Sequence, residues 1–186
     1  MKVIVLVGSL RKDSRSLKLA KSLKAFAPKY LDLKIADIAL PMYNEDLETD
    51  TPPEEWELFR KKIKQADAVL FITPEYNRSV PAVLKNAVDV GSAPDGKNVF
   101  ENKPAAIISL SPGKMGAFGA NHHLRQALVF LNMPTMQQPE AYIGGSEQLF
   151  DDDGNITSHG TLLYLMEFLE AFARWIKVHS GFAELL

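Results

Sequence analysis

Hydroxyl and guanidinium side chains are concentrated in residues 9–16, SLRKDSRS, directly after an apolar run at the start of the chain. The side chains concerned are those of Ser9, Arg11, Ser14, Arg15 and Ser16. A helix is predicted to begin here, and the unpaired N–H groups and dipole of a helix N-terminus favour an anion. The segment has neither the G-x-G-x-x-G spacing of dinucleotide sites nor a Walker pattern. It therefore predicts a site for a phosphate monoester, unless the serines only cap the helix.

A second polar segment follows the apolar run at residues 68–73. Its residues are Pro74, Glu75, Tyr76 and Asn77. Backbone N–H groups and one aromatic ring suit a flat, partly polar ligand, although an ordinary turn uses the same residue types. Ser79 is predicted to cap the next helix and Pro81 to lie in its first turn. The turn would then lie at the carboxyl end of a strand, where open α/β sheets bind ligands.

Residues 111–119, SPGKMGAFG, form a third polar segment that is rich in glycine. Ser111 and the backbone around Gly113 and Gly116 are expected to reach the same ligand, because glycine permits close approach. The alternative is a flexible surface loop. Three further residues would close the other side of the pocket, or else only form a packed loop: Met42, Tyr43 and Asn44.

Other reactive side chains do not form a recognisable catalytic motif. His122 and His123 are adjacent, so they lack the i, i+4 spacing of a helical zinc pair, and we expect surface or packing roles for them. Asp151–Asp153 lack the spacing of a calcium loop and predict a solvated turn. The chain has no cysteine, which excludes disulfides and thiolate chemistry. There is also no G-x-S-x-G pattern, so no side-chain nucleophile is predicted.

Strands and helices are predicted to alternate along one domain that spans residues 1–186. The apolar runs predict strands at residues 2–8, 31–35, 68–73, 103–110 and 135–138, the last with Tyr142 and Ile143 as an extension left open. Helical spacing predicts helices at residues 17–26, 54–65, 80–90, 120–132 and 158–178. This alternation predicts a three-layer, flavodoxin-like α/β fold, with a five-stranded parallel sheet in the order 2-1-3-4-5 and helices on both faces. The switch point of that order lies between strands 1 and 3, where the first two polar segments begin.

The bulk composition is that of an ordinary globular protein, with 186 residues, 46% hydrophobic and 24% charged. A net charge of −2 offers no basic field to attract nucleic acid. No apolar run reaches the length of a membrane span, and the start of the chain turns polar too soon for a signal peptide. We therefore expect a cytoplasmic protein with no nucleic-acid or membrane partner and no metal.

Four stretches resemble the NADPH-dependent FMN reductases: GSLRKDSRS, LPMYNEDL, TPEYNRSVPAVLKNAVD and SLSPGKMGAFGANHHLRQAL. The resemblance covers nearly the whole chain and is strongest to the bacterial quinone and chromate reductase branch. It implies that the FMN phosphate is held by Ser9, Arg11, Ser14 and Ser16. Arg15 departs from the family pattern, and we expect it to bind the cofactor through its positive charge in the same loop. It implies that Pro74, Glu75, Tyr76 and Asn77 line the isoalloxazine ring, largely through backbone groups. Ser111 and Gly113 would flank the ribityl chain or the ring.

The resemblance also implies a function, namely hydride transfer from NAD(P)H through FMN to a small-molecule acceptor by a ping-pong scheme. Quinones, flavins, chromate and azo compounds are the implied acceptors. No side-chain catalyst is required, because the cofactor carries the chemistry. One alternative is a flavodoxin-like electron carrier, which the net charge of −2 disfavours because such carriers are strongly acidic. Another is a binding module without flavin on the same fold.

The resemblance further implies a homodimer or homotetramer. We expect the third and fourth helices, with Phe100 and the loop at residues 91–102, to meet a second subunit near the flavin. The alternative is that these apolar residues only pack on the sheet.

Overall fold

The computed structural model describes residues 1–180, which form five strands, five α-helices and one short 3₁₀ helix. In chain order these are β1 (Lys2–Val7), α1 (Arg15–Phe26), β2 (Asp32–Ala36), the 3₁₀ helix (Glu45–Leu47), α2 (Glu54–Lys64), β3 (Ala68–Thr73), α3 (Ala82–Ser92), β4 (Ala105–Leu110), α4 (Phe118–Phe130), β5 (Ala141–Ile143) and α5 (His159–Ser180). No helix within residues 1–180 is long and apolar enough to cross a membrane.

The five strands form one parallel sheet in the order β2-β1-β3-β4-β5, which confirms the predicted flavodoxin-like topology. At the centre of the sheet Val5 pairs with Leu70, and Phe71 pairs with Ile107. Every residue of β3 and β4 is buried, because helices cover both faces. The order of strands changes direction between β1 and β3, so the loops that follow these strands diverge and leave a crevice.

Two hydrophobic cores lie on opposite faces of the sheet. On one face Leu19 and Leu23 of α1 pack with Phe168 and Phe172 of α5. On the other face the core is formed by apolar side chains of α2, α3 and α4 against the sheet. Burial of such side chains contributes about 1.5–3 kcal/mol each. The sheet is therefore held rigidly from both sides, which fixes the positions of its loops.

Phe100 belongs to the second core, so its predicted place in a subunit interface is wrong. Its side chain is fully buried, and its ring centroid lies 6.4 Å from those of Phe59 and Phe71. A Cβ atom added to Gly91 would lie 2.3 Å from Phe100 Cε2. The glycine inside α3 is therefore explained by the ring that packs against it.

The prediction of the fifth strand at residues 135–138 is wrong, and the extension that was left open is the strand. Thr135 forms only an isolated bridge with Ala105, whereas Ala141–Ile143 pair with β4. Pro139 separates the two segments and has no N–H group for a β-ladder. The apolar pattern therefore identified the segment but not the residues that pair.

The start of α3 also differs from the prediction. Its first residue is Ala82, and Pro81 occupies the N-cap position, so Ser79 does not cap this helix. The backbone of Ser79 instead pairs with that of Tyr76. Ser79 is therefore part of the preceding turn.

Candidate functional site

A cleft of about 210 Å³ lies at the carboxyl ends of β1, β3 and β4. Its walls are formed by Ser9, Arg11, Ser14, Arg15, Ser16, Pro74, Glu75, Tyr76, Leu110, Ser111, Pro112 and Ser146. Of the residues that the family resemblance and the loop at residues 9–16 assign to FMN, all except Asn77 and Gly113 contribute to these walls. Leu110, Pro112 and Ser146 were not predicted. The three polar segments of the sequence thus meet around one cavity.

The loop after β1 presents hydrogen-bond donors at the N-terminus of α1. Ser14 is the N-cap residue, and its Oγ accepts a hydrogen bond from Leu17 N–H at 3.1 Å. The backbone N–H groups of Arg15 and Ser16 have no acceptor within residues 1–180. The side chain of Ser16 is buried and likewise makes no hydrogen bond within the part of the chain described. These donors, with the helix dipole, fit a phosphate monoester.

Charged groups around this loop are arranged to favour an anion. Asp13 is the one nearby carboxylate of the loop, and Lys18 Nζ lies 2.5 Å from its Oδ1. The hydrogen bond from Lys18 holds the pKa of Asp13 below its ordinary value, and the ion pair offsets the negative charge of Asp13. Arg11 lines the cleft and is exposed. Arg15 Nη2 lies 3.2 Å from Glu147 Oε1, a partner that sequence reasoning missed.

The loop after β3 forms a tight hairpin at residues 74–79. Tyr76 and Ser79 exchange both backbone hydrogen bonds at 2.9 Å. Asn77 and Arg78 lie between them with φ values of 51° and 63°, as a two-residue type I′ turn requires. Asn77 is therefore at the tip of the turn and does not line the cleft. Tyr76 does line it and remains 54% exposed, which leaves an aromatic ring at its mouth.

The loop after β4 is ordered by internal hydrogen bonds. Ser111 Oγ accepts the N–H of Ala117 and donates to the carbonyl of Gly113, both at 3.1 Å. Gly116 has a φ of 58°, and a Cβ atom there would lie 2.5 Å from the carbonyl carbon of Tyr142. The glycine therefore permits the loop to pack on β5. The alternative prediction of a flexible surface loop is wrong. Gly113 only closes this turn and lies outside the cleft wall.

Ser146 is a buried residue of the cleft wall that no sequence motif indicated. It follows β5, and its N–H donates to the carbonyl of Ser111 at 3.1 Å. Its side chain is 2% exposed and makes no hydrogen bond among residues 1–180. The only signal in the sequence is the Gly144-Gly145 turn before it, which is not specific to a site.

The segment at residues 42–44 does not line the cleft. The alternative of a packed loop is correct for Tyr43 and Asn44, whereas Met42 is exposed. Tyr43 packs against Trp56 with ring centroids 5.4 Å apart, and its N–H donates to Asn86 Oδ1 at 2.8 Å. Asn44 caps the 3₁₀ helix. Trp56 is fully buried, so the loop packs on α2 and covers its indole ring.

Both histidines have packing contacts, as predicted. His123 Nδ1 lies 2.7 Å from Ser79 Oγ, and His122 Nε2 lies 2.9 Å from the hydroxyl of Tyr142. The ring of His122 also packs on Phe118 at 4.2 Å between centroids. Burial raises the pKa of Tyr142 to about 12.

A larger groove of about 1080 Å³ lies between α2 and the loop at residues 93–99. It shares no residue with the cleft at the switch point. Its main polar group, Arg60, is already paired with Glu48 and Glu57 and donates to the carbonyl of Val90 at 2.9 Å. The smaller cleft is the better candidate site, because it lies at the switch point and has unpaired backbone N–H groups at the start of α1.

The fold and the cleft define a flavodoxin-like α/β protein with unpaired hydrogen-bond donors in the loop at the switch point. Residues 1–148 match the profile of the family described as NADPH-dependent FMN reductase. The chain belongs to this family. The resemblance to the NADPH-dependent FMN reductases is confirmed. The FMN cofactor, the NAD(P)H co-substrate and the class of oxidoreductase are confirmed with it.

Three relatives illustrate the similarity. A quinone reductase of Pseudomonas putida is 55% identical over 180 residues, which covers 96% of each chain. A 2-hydroxy-1,4-benzoquinone reductase of a Burkholderia species is 43% identical over 178 residues, covering 95% of this chain and 97% of the relative. The solved structure of FerB, a flavoenzyme NAD(P)H:(acceptor) oxidoreductase from Paracoccus denitrificans, has a TM-score of 0.90 with 43% identity, covering 96% of this chain and 98% of that chain.

Proposed function

We propose that this protein is an NAD(P)H-dependent quinone reductase that holds FMN in the cleft at the switch point. The observation that carries the proposal is the set of unpaired donors at the start of α1, next to Arg11 and the aromatic ring of Tyr76. A phosphate monoester and a flat ring are the two parts of FMN that these groups suit. Support for the acceptor comes from the relatives named quinone reductase and 2-hydroxy-1,4-benzoquinone reductase.

The residues of the cleft would bind and orient the cofactor. The N–H groups of Arg15 and Ser16, the hydroxyls of the loop and the charge of Arg11 would hold the phosphate. Pro74, Glu75 and Tyr76 would lie along the ring, with Ser111 opposite. When bound, FMN supplies the two-electron hydride chemistry between NAD(P)H and the acceptor.

Backbone donors of the 74–79 hairpin would stabilise the negative charge that develops on the reduced ring. The N–H of Tyr76 is already committed to the carbonyl of Ser79. The N–H of Glu75 has no acceptor within residues 1–180, and Glu75 lines the cleft, so this group is the donor available for the role. No side-chain acid or base is needed.

We propose a ping-pong scheme, in which NAD(P)H and the acceptor use the same open side of the cleft in turn. The exposed ring of Tyr76 supports this scheme, because it lies at the open side of the cleft that both substrates would use. Flavins, chromate and azo compounds would be accepted there as well, and the reaction would take place in the cytoplasm.

The test combines a spectrum with kinetics. Purified protein is expected to retain FMN, to lose the visible flavin absorbance with anaerobic NADPH and to regain it with benzoquinone. Initial rates at varied NADPH and quinone are expected to give parallel double-reciprocal lines. Retained flavin that NADPH cannot bleach would indicate an electron carrier, and failure to bind added FMN would refute the site.

We further propose a homodimer, or a homotetramer built from it, that uses the surface of α3 and α4. Two apolar side chains near the end of α4 support this, because Val129 is 74% exposed and Phe130 is 90% exposed. A groove of about 370 Å³ lies between the two helices beside Phe130. Exposed apolar side chains next to a groove suit a self-complementary contact.

A further inference from the structure

The first turn of α4 receives its cap from a different loop. Its own N-cap residue is Ala117, which has a φ of 61° and no side-chain acceptor. The N–H of Ala120 instead donates to Glu75 Oε2 at 3.0 Å. The side chain of Glu75 is only 15% exposed. A carboxylate in this position satisfies one of the unpaired donors of the helix and interacts favourably with its dipole.

A second contact joins the same two elements. Ser79 Oγ lies 2.7 Å from His123 Nδ1. Ala120 and His123 are three residues apart, so they lie on the same face of α4. Glu75 and Ser79 are near the two ends of the 74–79 hairpin. The hairpin is therefore attached to α4 at both ends.

The hairpin and the helix approach each other closely at Gly119. A Cβ atom at this position would lie 2.9 Å from Glu75 Oε2 and 3.0 Å from the carbonyl oxygen of Arg78. Gly119 has no positive φ, so the glycine is explained by this close approach and not by backbone strain. A side chain at residue 119 would displace the Glu75 carboxylate and press on the carbonyl of Arg78, so it would disturb the cap.

We propose that Glu75 is a positioning residue, which caps α4 and thereby holds the 74–79 hairpin in the place where it faces the cofactor. The inference rests on the proposed function only in taking FMN as the ligand of the cleft. Glu75 would act through the backbone of the hairpin, since its carboxylate is turned to Ala120. The acceptor oxygen is what matters, so glutamine should replace glutamate with little loss.

The ion pair between Glu75 and Arg78 is a competing explanation for any effect at Glu75. Arg78 Nη1 lies 3.4 Å from Glu75 Oε1, but its side chain is 74% exposed. Such exposed pairs contribute little, because water and salt screen them. The variant Arg78→Gln removes this pair and leaves the cap in place, so it is the matched control.

The experiment titrates the apo forms of five proteins with FMN and follows the flavin fluorescence. Glu75→Ala is expected to bind FMN about tenfold more weakly than the wild type, as for the loss of a partly buried hydrogen bond. Glu75→Gln should stay within about threefold of the wild type, because its amide oxygen can accept the same N–H. Gly119→Ala should reproduce the loss of Glu75→Ala, and Arg78→Gln should bind as the wild type does.

A second readout needs no cofactor. Amide hydrogen exchange at Ala120 and Tyr76 should be faster in apo Glu75→Ala and unchanged in apo Glu75→Gln. If Glu75→Ala does not fold, Gly119→Ala tests the same contact from the other side.

Three results would overturn the inference. The first is FMN binding by Glu75→Ala at wild-type strength, and the second is an equal loss in Glu75→Gln, which would assign the effect to charge. The third is unchanged exchange at Ala120 in Glu75→Ala. Failure of the wild type to bind FMN would refute the proposed function instead, and the exchange measurement would then decide the contact by itself.

Discussion

The guanidinium of Arg15 lies 3.2 Å from the carboxylate of Glu147 and so joins the first residue of α1 to the loop after β5. Both residues are near the cleft, since Arg15 and Ser146 belong to its walls. The side chain of Arg15 is 33% exposed and that of Glu147 is 64% exposed, so the pair is open to water. A phosphate in the cleft would therefore compete with Glu147 for the charge of Arg15.

Removing the charge of Glu147 should strengthen FMN binding. Glu147→Gln frees Arg15 for the phosphate, and we expect a gain of about threefold, since exposed pairs are worth at most ~1 kcal/mol. The measurement is the FMN dissociation constant at low and at high salt, and the gain should shrink at high salt. In an Arg15→Met background the Glu147→Gln change should have no effect. Weaker binding by Glu147→Gln would show that the ion pair closes the site instead.

The hydroxyl of Ser16 should matter for the phosphate and not for the fold. Ser16 is a buried residue of the cleft wall, and its hydroxyl has no hydrogen bond to lose within residues 1–180. Ser16→Ala should weaken FMN binding by about tenfold to a hundredfold, because a hydrogen bond to a charged group contributes ~1.5–3 kcal/mol. Binding of riboflavin, which lacks the phosphate, should not change.

A neighbouring serine provides the contrast. Ser14→Ala removes the N-cap of α1 and should lower the free energy of unfolding by ~1 kcal/mol in urea denaturation, whereas Ser16→Ala should leave it unchanged. Equal losses of FMN and riboflavin binding in Ser16→Ala would refute the placement of the phosphate.

The contact between Gly91 and Phe100 should make α3 intolerant of alanine at residue 91. The added Cβ atom would lie 2.3 Å from Phe100 Cε2, so the ring or the helix must move. We expect Gly91→Ala to destabilise the protein by about 1–3 kcal/mol in chemical denaturation. Gly160→Ala is the control, because only the Ser158 hydroxyl lies near its Cβ, at 3.9 Å. That change should be neutral or stabilising, since alanine favours a helix.

Tyr142 should make the stability of the protein fall at high pH. Burial raises its pKa from 10.0 to about 12, so the folded state keeps the proton over a range in which the unfolded chain loses it. The stability that Tyr142 contributes is therefore complete below pH 10 and is lost as the pH rises from 10 to about 12. Urea denaturation of the wild type and Tyr142→Phe should differ in this range, the variant having the flatter profile. Parallel profiles would contradict the prediction.

A charge at Phe130 should prevent the proposed self-association. Its side chain is 90% exposed on α4, where it borders the groove with α3. Phe130→Glu should yield monomers in sedimentation velocity experiments, because a carboxylate cannot be buried there without a partner. Leu163→Glu on α5, where the side chain is 46% exposed, is the control and should keep the assembly of the wild type. A monomeric wild type, or an unchanged assembly in Phe130→Glu, would refute this interface.

Patterns within single segments predicted much of the fold. The bounds of β3 follow directly from an apolar run, because a parallel strand covered on both faces needs apolar residues at every position. The loop at residues 9–16 was also predicted from a single segment, since an anion site at a helix N-terminus needs hydroxyls and positive charge close together in the chain. The alternation of strands and helices then places this loop and the 74–79 hairpin at one edge of the sheet.

Contacts between distant segments were decided only by the tertiary structure. Hydrogen bonds and ion pairs to other segments hold Ser146, Glu147 and Glu75 in place, and nothing near these residues in the sequence indicates the partners. The predicted position of β5 was wrong for a similar reason, because the pairing of this strand depends on where β4 presents free backbone groups. Local sequence therefore determined which elements form and which loops carry polar groups. The fold decided which side chains of those loops meet, because hydrogen bonds and packing act between atoms that are close in space and not along the chain.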